Sequence, residues 1–124
     1  LGQAGFVSGR LDEHTIETGL GTLDTDMIQG LGPEYDGAAV DVLARPDDLR
    51  AIPSEGTDGD GEIVEREYTG PSFVYTVELD TGDVVYCEHN HSDHLDLDSR
   101  VRVDLVADHR LAWFPTDSDG LRDD

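Results

Sequence analysis

The sequence has no lysine, a single cysteine and no long apolar run, and each shortage excludes a class of protein. Its eight basic residues are all arginines, scattered among 29 acidic residues. This pattern leaves no basic stripe for nucleic acid phosphates or an anionic membrane. Cys87 alone cannot form an internal disulfide bond. Without an apolar segment near the length of a membrane span or a signal peptide, we expect a soluble cytoplasmic protein that inserts nothing into the bilayer.

The formal charge of −21 at pH 7 indicates the solvent in which this chain folds. At ordinary salt a surface so dense in carboxylates repels itself, whereas at 1 M salt the Debye length falls to about 3 Å and the repulsion is screened. We therefore predict the cytoplasm of an extreme halophile. Disorder is the alternative explanation of such charge, but the acids alternate with Val, Ile, Leu, Tyr and Phe in strand-like runs, which favours a folded chain.

Glycine and proline punctuate the sequence about every eight to twelve residues, a spacing typical of short strands and tight turns. Apolar and polar residues alternate over residues 73–79, and the Asp-Thr-Gly-Asp turn at 80–83 predicts a hairpin returning through 84–89. Pro46 ends an apolar strand predicted at 38–44. Further strands are predicted at residues 6–11, 15–18, 21–23 and 62–68. The sequence thus predicts an all-β fold of short antiparallel strands.

The chain divides into two halves around a stretch that cannot pack. Residues 54–61 are acidic and rich in glycine, without a large apolar residue, and predict a solvated linker. We expect a first β half at residues 1–53, a second at 62–115 and a disordered acidic tail at 116–124. Because the sequence opens on Leu1 without a methionine, we also expect it to be a piece of a longer polypeptide.

Three stretches, in this order and spacing, carry a family likeness. They are Gly-Gln-Ala-Gly-Phe-Val-Ser-Gly at 2–9, Arg-Pro-Asp-Asp-Leu at 45–49, and residues 67–77 followed by Asp-Thr-Gly at 80–82 and Leu-Ala-Trp-Phe-Pro at 111–115. Together they resemble the C-terminal regulatory region of ABC importer ATPases, which carries the TOBE (transport-associated OB) domain. The second stretch is similar to that family's recurring Arg-Pro-Glu-Asp-Leu element. Asp47 replaces its glutamate, a departure in the halophilic direction.

The resemblance implies a pair of small OB-like β-barrels, appended to an ATPase and facing a second copy in a dimeric transporter. The chain has no Gly-x-x-x-x-Gly-Lys-Ser/Thr loop, so we expect no ATP hydrolysis and no cofactor here, with ATP and magnesium bound by an N-terminal domain of the parent chain. The resulting hypothesis is a non-catalytic regulatory and dimerisation domain for import of iron(III), a polyamine, thiamine or a similar solute. The parent would sit at the inner face of the cell membrane, on its permease subunits.

One cluster could carry chemistry of its own. Cys87, His89, His91 and His94 offer the soft and borderline ligands that zinc, copper or nickel prefer, although their spacing matches no common structural zinc pattern. The alternative function is therefore a ligand-sensing domain that binds a metal ion, or an oxyanion as related domains of molybdate systems do. The simpler interpretation is a polar loop with Cys87 buried at a strand end.

Bulky side chains on the two best-defined strands of the second half are the candidates for the dimer contact: Phe73, Tyr75, Trp113 and Phe114. Trp113 and Phe114 are adjacent, so one ring should face the core and the other the solvent. A free-standing OB-type nucleic acid binder would instead need an exposed cationic and aromatic face, which this composition does not supply.

Overall fold

The computed structural model describes residues 4–55, 58–90 and 92–116, which form two five-stranded antiparallel sheets. The helical segments within these residues are three 3-10 helices of three residues each. The prediction of an all-β, OB-like fold of short antiparallel strands is therefore confirmed. No helix in the described part is long and apolar enough to span a bilayer.

The first sheet has the order β10-β4-β1-β2-β3. Its strands are β1 (Gly5–Asp12), β2 (Thr15–Thr18), β3 (Gly21–Asp24), β4 (Ala39–Ala44) and β10 (Trp113–Pro115). The second sheet has the order β5-β9-β6-β7-β8. Its strands are β5 (Leu49–Pro53), β6 (Gly61–Tyr68), β7 (Ser72–Leu79), β8 (Val84–Asn90) and β9 (Arg100–Leu105).

The chain crosses between the two sheets twice. After β4, the 3-10 helix Pro46–Asp48 leads into β5, which pairs with β9 in the second sheet. After β9, residues 106–112 return the chain to β10, which pairs with β4 in the first sheet. The predicted division into two halves stays a prediction. Two strand pairs, β5 with β9 and β10 with β4, join one predicted half to the other. Residues 56 and 57 of the predicted linker and 117–124 of the predicted tail lie outside the described residues.

Strand alternation places one apolar face of each sheet in a common core. Along β4, Val40, Val42 and Ala44 are fully buried while the residues between them are only half-buried. Pro46 then fixes its own φ and holds Arg45 in an extended conformation (φ −91°, ψ 162°), which ends the strand. The same cluster includes Ile63, Val77, Leu79, Val85 and Val101 of the second sheet.

The two sheets approach closely where β1 crosses β8. A Cβ on Gly5 would lie 2.8 Å from the Val84 carbonyl oxygen and 2.9 Å from Val85 Cα, so this position has room for glycine alone. Nearby, the Ser8 backbone N–H donates to the Asp83 carboxylate over 3.0 Å. These contacts explain why glycine stands at position 5 and give Ser8 a partner in the second sheet's hairpin.

Candidate functional site

The predicted metal cluster begins on β8, where alternation turns two of its side chains inward. Cys87 is fully buried, and burial raises the pKa of its thiol to about 12. The thiol is therefore neutral at physiological pH, whereas a metal ligand or nucleophile must be a thiolate. In the described structure Cys87 acts as a small core residue.

His89 joins the two edge strands of the second sheet. The residue is 3% exposed, and its Nε2 accepts a hydrogen bond from the Ala51 backbone N–H of β5 over 3.1 Å. Because a backbone N–H can only donate, Nε2 carries the lone pair and Nδ1 carries the proton. Nδ1 lies 3.3 Å from Asp93 Oδ2. Burial lowers the pKa of His89, and Asp93 opposes this only in part.

A tyrosine and an arginine hold the residues that follow β8 against this ring. Tyr75 packs edge-on to His89, with ring centroids 5.4 Å apart. Its hydroxyl donates to the Asp93 carbonyl oxygen and accepts from the Leu95 N–H, each over 2.9 Å. Arg50 of β5 contacts the Asp93 carboxylate at 3.0 Å. The network therefore fastens the β8 end of the sheet to β5 at the other edge.

The predicted metal site stays a prediction. Both ring nitrogens of His89 have protein partners, and His94 is exposed with Nε2 3.6 Å from Asp96. His91 lies outside the described residues. Within the residues that the structure describes, no three His, Cys, Asp or Glu side chains are grouped to hold a metal ion.

The predicted contact residues are split between core and surface. Tyr75 is 0% exposed, which corrects its placement on a contact surface, because a wholly enclosed ring cannot touch a partner. Phe73 is half-buried, with its ring centroid 5.4 Å from that of Tyr68. Trp113 is half-buried against the core and packs edge-on to Tyr35, with centroids 4.8 Å apart. Phe114, on the other side of β10, is 48% exposed.

Phe114 belongs to an apolar patch that the sequence predicted only in part. Its ring meets Phe6 of β1 edge-on at 6.0 Å, and Phe6 is 43% exposed. Phe6 pairs across the sheet with Leu43, which is half-buried. We call Phe6, Leu43 and Phe114 the outer-face patch. The signal for Phe6 was its position in β1 directly before the core residue Val7, which sets it on the opposite face.

Comparison with known proteins places the chain among transport-associated domains. The family model described as the TOBE domain matches residues 42–113. The spermidine/putrescine import ATP-binding protein PotA of Marinobacter nauticus is 28% identical over 130 aligned residues, covering 98% of this chain and 35% of that protein. The chain thus spans about a third of the length of this relative.

A second similar protein is named for a different kind of domain. The EF-hand calcium-binding domain-containing protein 1 of Lottia gigantea is 30% identical over 64 residues, covering 52% of this chain and 26% of that protein. An EF-hand is a pair of helices around a calcium loop, whereas the described part of this chain contains only three-residue 3-10 helices. The similarity to this protein therefore does not extend to the fold.

Proposed function

The chain belongs to the TOBE domain family, and on this premise we propose that it is the non-catalytic regulatory and dimerisation domain of an ABC importer ATPase. The observation that carries the proposal is the family match over residues 42–113, which spans both crossings between the sheets. Its Arg-Pro-Asp-Asp-Leu element forms the first crossing, because Pro46–Asp48 directs the chain from β4 into β5. The family likeness therefore coincides with the part of the chain that joins the two sheets.

The described side chains support a structural and regulatory role over a catalytic one. Cys87 is buried and His89 is bonded at both ring nitrogens. Asp48, a buried carboxylate, accepts hydrogen bonds from the Arg45 N–H and from His109. These groups hold the fold, and we propose that ATP and magnesium bind to an N-terminal domain of the parent chain.

The proposed cargo is a small solute, with a polyamine favoured because a relative aligned over 98% of this chain is named for spermidine and putrescine import. The parent would act in the cytoplasm, at the inner face of the membrane, through its permease subunits. The reading frame upstream of Leu1 tests this assignment. A nucleotide-binding domain with a lysine-containing phosphate loop there supports it, and a frame without one contradicts it.

The outer-face patch is the surface that we propose for contact with a second copy. Phe6 and Phe114 expose their rings to solvent on a chain of charge −21. Burying these rings against a second copy of the chain removes apolar area from water, which stabilises the contact by about 25 cal/mol per Å². In the halophilic cytoplasm that we propose, salt would screen the repulsion between the two acidic surfaces. Association should therefore increase with salt.

Sedimentation equilibrium of the chain from about 0.1 to 3 M KCl, over which the Debye length falls from about 10 Å to below 3 Å, tests this contact. We expect dimers at high salt, and we expect Phe114→Ala to weaken association by about 2 kcal/mol, roughly thirtyfold. Tyr68→Ala is the matched control, because Tyr68 is 62% exposed on the second sheet and lies outside the patch. A chain that stays monomeric at every salt concentration contradicts the dimerising role, as does an equal loss in both variants.

A further inference from the structure

The two crossings between the sheets contact each other at Asp48. Its backbone carbonyl oxygen, at the end of the first crossing, accepts the Val106 N–H of the second crossing over 2.8 Å. Further along the second crossing, the Ala112 carbonyl oxygen accepts the Leu43 N–H of β4 over 2.9 Å. Between these two backbone bonds, residues 107–110 bend past the first crossing, and the two crossings line a pocket of about 290 Å³. A side chain of this bend reaches the first crossing.

That side chain is His109, which has a close neighbour at each ring nitrogen. Nε2 lies 2.9 Å from Asp48 Oδ1, 61 positions earlier in the chain, and Nδ1 lies 2.8 Å from the Arg110 carbonyl oxygen. A carbonyl oxygen and a carboxylate oxygen can only accept hydrogen bonds. The ring therefore makes both bonds only as an imidazolium, which donates from both nitrogens.

A neutral ring cannot keep both bonds. It carries one N–H, so in either tautomer a nitrogen lone pair would face an acceptor oxygen at these distances. The ring then has to turn away from one of its two neighbours, and its side chain is exposed enough, at 55%, to do so. If it leaves Asp48, the buried carboxylate keeps the Arg45 N–H on Oδ2 but loses its partner on Oδ1. The buried carboxylate therefore favours the charged ring.

Charged side chains of both signs surround the ring. Asp48 on the first crossing and Asp108 beside the ring favour its protonation. Arg45 and Arg110 line the same pocket, and their charges oppose it. The attraction is the stronger effect, because the hydrogen bond to the Arg110 carbonyl oxygen, followed by that to Asp48, raises the pKa of His109. The imidazolium therefore persists at a pH where a free histidine is neutral.

We propose that His109 is a proton-dependent link between the two crossings, which binds residues 107–110 to Asp48 as an imidazolium and releases them as a neutral ring. Each crossing carries the chain from one sheet to the other, so the link also restrains the sheets relative to each other. This restraint is strongest while the ring is charged and weakens as the ring loses its proton. The link stands on the contacts of His109 and does not depend on the transporter role.

Amide hydrogen exchange followed by NMR from about pH 6 to 9 tests the link, with each rate corrected for the intrinsic pH dependence of exchange. In the parent, the Val106 and Leu43 amides should lose protection by about threefold or more as His109 loses its proton, because a raised folded pKa gives stability that disappears as the pH rises through it. The Leu79 amide, in the β7–β8 turn, is the internal control and should not follow this change.

His109→Gln is the matched variant for this experiment, since glutamine does not titrate. Its Val106 and Leu43 amides should keep the same protection over the whole range, and the difference from the parent removes the contributions of the other histidines. The proposal is overturned if protection in the parent does not change with pH, or if the same change persists in His109→Gln.

Asp48→Asn tests the sign of the link. With its oxygen on the Arg45 N–H, the asparagine would direct an N–H donor at Nε2 of His109. A neutral ring would then accept there and donate from Nδ1 to the Arg110 carbonyl oxygen, so both bonds would need the neutral form. NMR of the ring should show a lower pKa of His109 than in the parent, and the Val106 amide should gain protection as the pH rises. An unchanged pKa of His109 in this variant overturns the proposal.

Discussion

The two sheets have the same number of strands but differ in how their edge strands are connected and in where their aromatic rings meet. The second sheet buries hydrogen-bonded polar groups and uses His89 to connect its two edge strands, β5 and β8. The first sheet leaves the rings of Phe6 and Phe114 at the surface. The second sheet is thus closed on itself by a buried side chain, whereas the first places the exposed rings of Phe6 and Phe114 in mutual contact.

The arginine ion pairs are also distributed unevenly between the two sheets. The arginines that form ion pairs among the described residues lie on β5 and β9 of the second sheet, and their acidic partners lie on β9 or in the loops after β7 and β8. Arg10 and Arg66 donate to backbone carbonyl oxygens instead, and Arg45 and Arg110 lie on the crossings, outside either sheet. The comparison therefore separates three regions: a sheet closed through His89, a sheet with two exposed aromatic rings in contact, and the crossings between them.

The largest expected effect is the difference in stability lost when a buried ring or an exposed ring is removed. Tyr75→Ala should lower the free energy of unfolding by about 3 to 5 kcal/mol, because it empties a buried site and leaves the Asp93 carbonyl oxygen and the Leu95 N–H without their partner. Phe114→Ala on the first sheet should cost less than about 1 kcal/mol in the monomer. Urea unfolding in concentrated KCl measures both. Similar losses would remove the distinction between the sheets.

A smaller effect is expected for the histidine that joins the edge strands. His89→Ala leaves the buried Ala51 N–H unpaired, which should cost about 1 to 3 kcal/mol. His14→Ala is the matched control, because His14 is exposed in the turn between β1 and β2 and should change stability by less than about 0.5 kcal/mol. The same unfolding measurement compares them. If both variants matched the parent, His89 would not connect the edges.

Local pattern was enough to predict most of the strands, because alternation and turn chemistry act over a few residues. The strand predicted at residues 15–18 matches β2, and the hairpin around residues 80–83 is the β7–β8 turn. Pairing between distant strands has no such local signal. The exchange of β5 and β10 between the sheets therefore could not be predicted, since it depends on where the two crossings lead.

The candidate sites show the same limit. Cys87 and His89 are close in sequence and suggested a shared metal ion. Nε2 of His89 instead accepts from a backbone N–H on β5, and a backbone contact cannot be predicted from residue types. The sequence also could not predict that Arg45 lines the same pocket as His109 and Arg110, because Arg45 is far from these two residues along the chain. Clusters that the fold assembles from separate segments leave little trace in the sequence.

The smallest expected effect is a pH dependence that belongs to the closed sheet. Burial lowers the pKa of His89 in the folded chain, so below about pH 6.5 the unfolded chain binds a proton there that the folded chain excludes. The free energy of unfolding should therefore fall as the pH falls from about 6.5 towards the folded pKa. The geometry agrees, since a protonated Nε2 would point a second donor at the Ala51 N–H.

The difference in the free energy of unfolding between the parent and His89→Gln isolates the contribution of His89 to the pH dependence. His109 works in the opposite direction, because its raised pKa adds stability below about 6.5 that is lost as the pH rises through the folded value. His109 and the carboxylates are present in both chains, however, and their contributions cancel in the difference. Urea unfolding from about pH 8 to 5 should show a smaller acid loss for His89→Gln than for the parent. Parallel profiles for the two chains would show that His89 is protonated as readily in the folded state as in the unfolded one, and that the second sheet is not closed through a neutral ring.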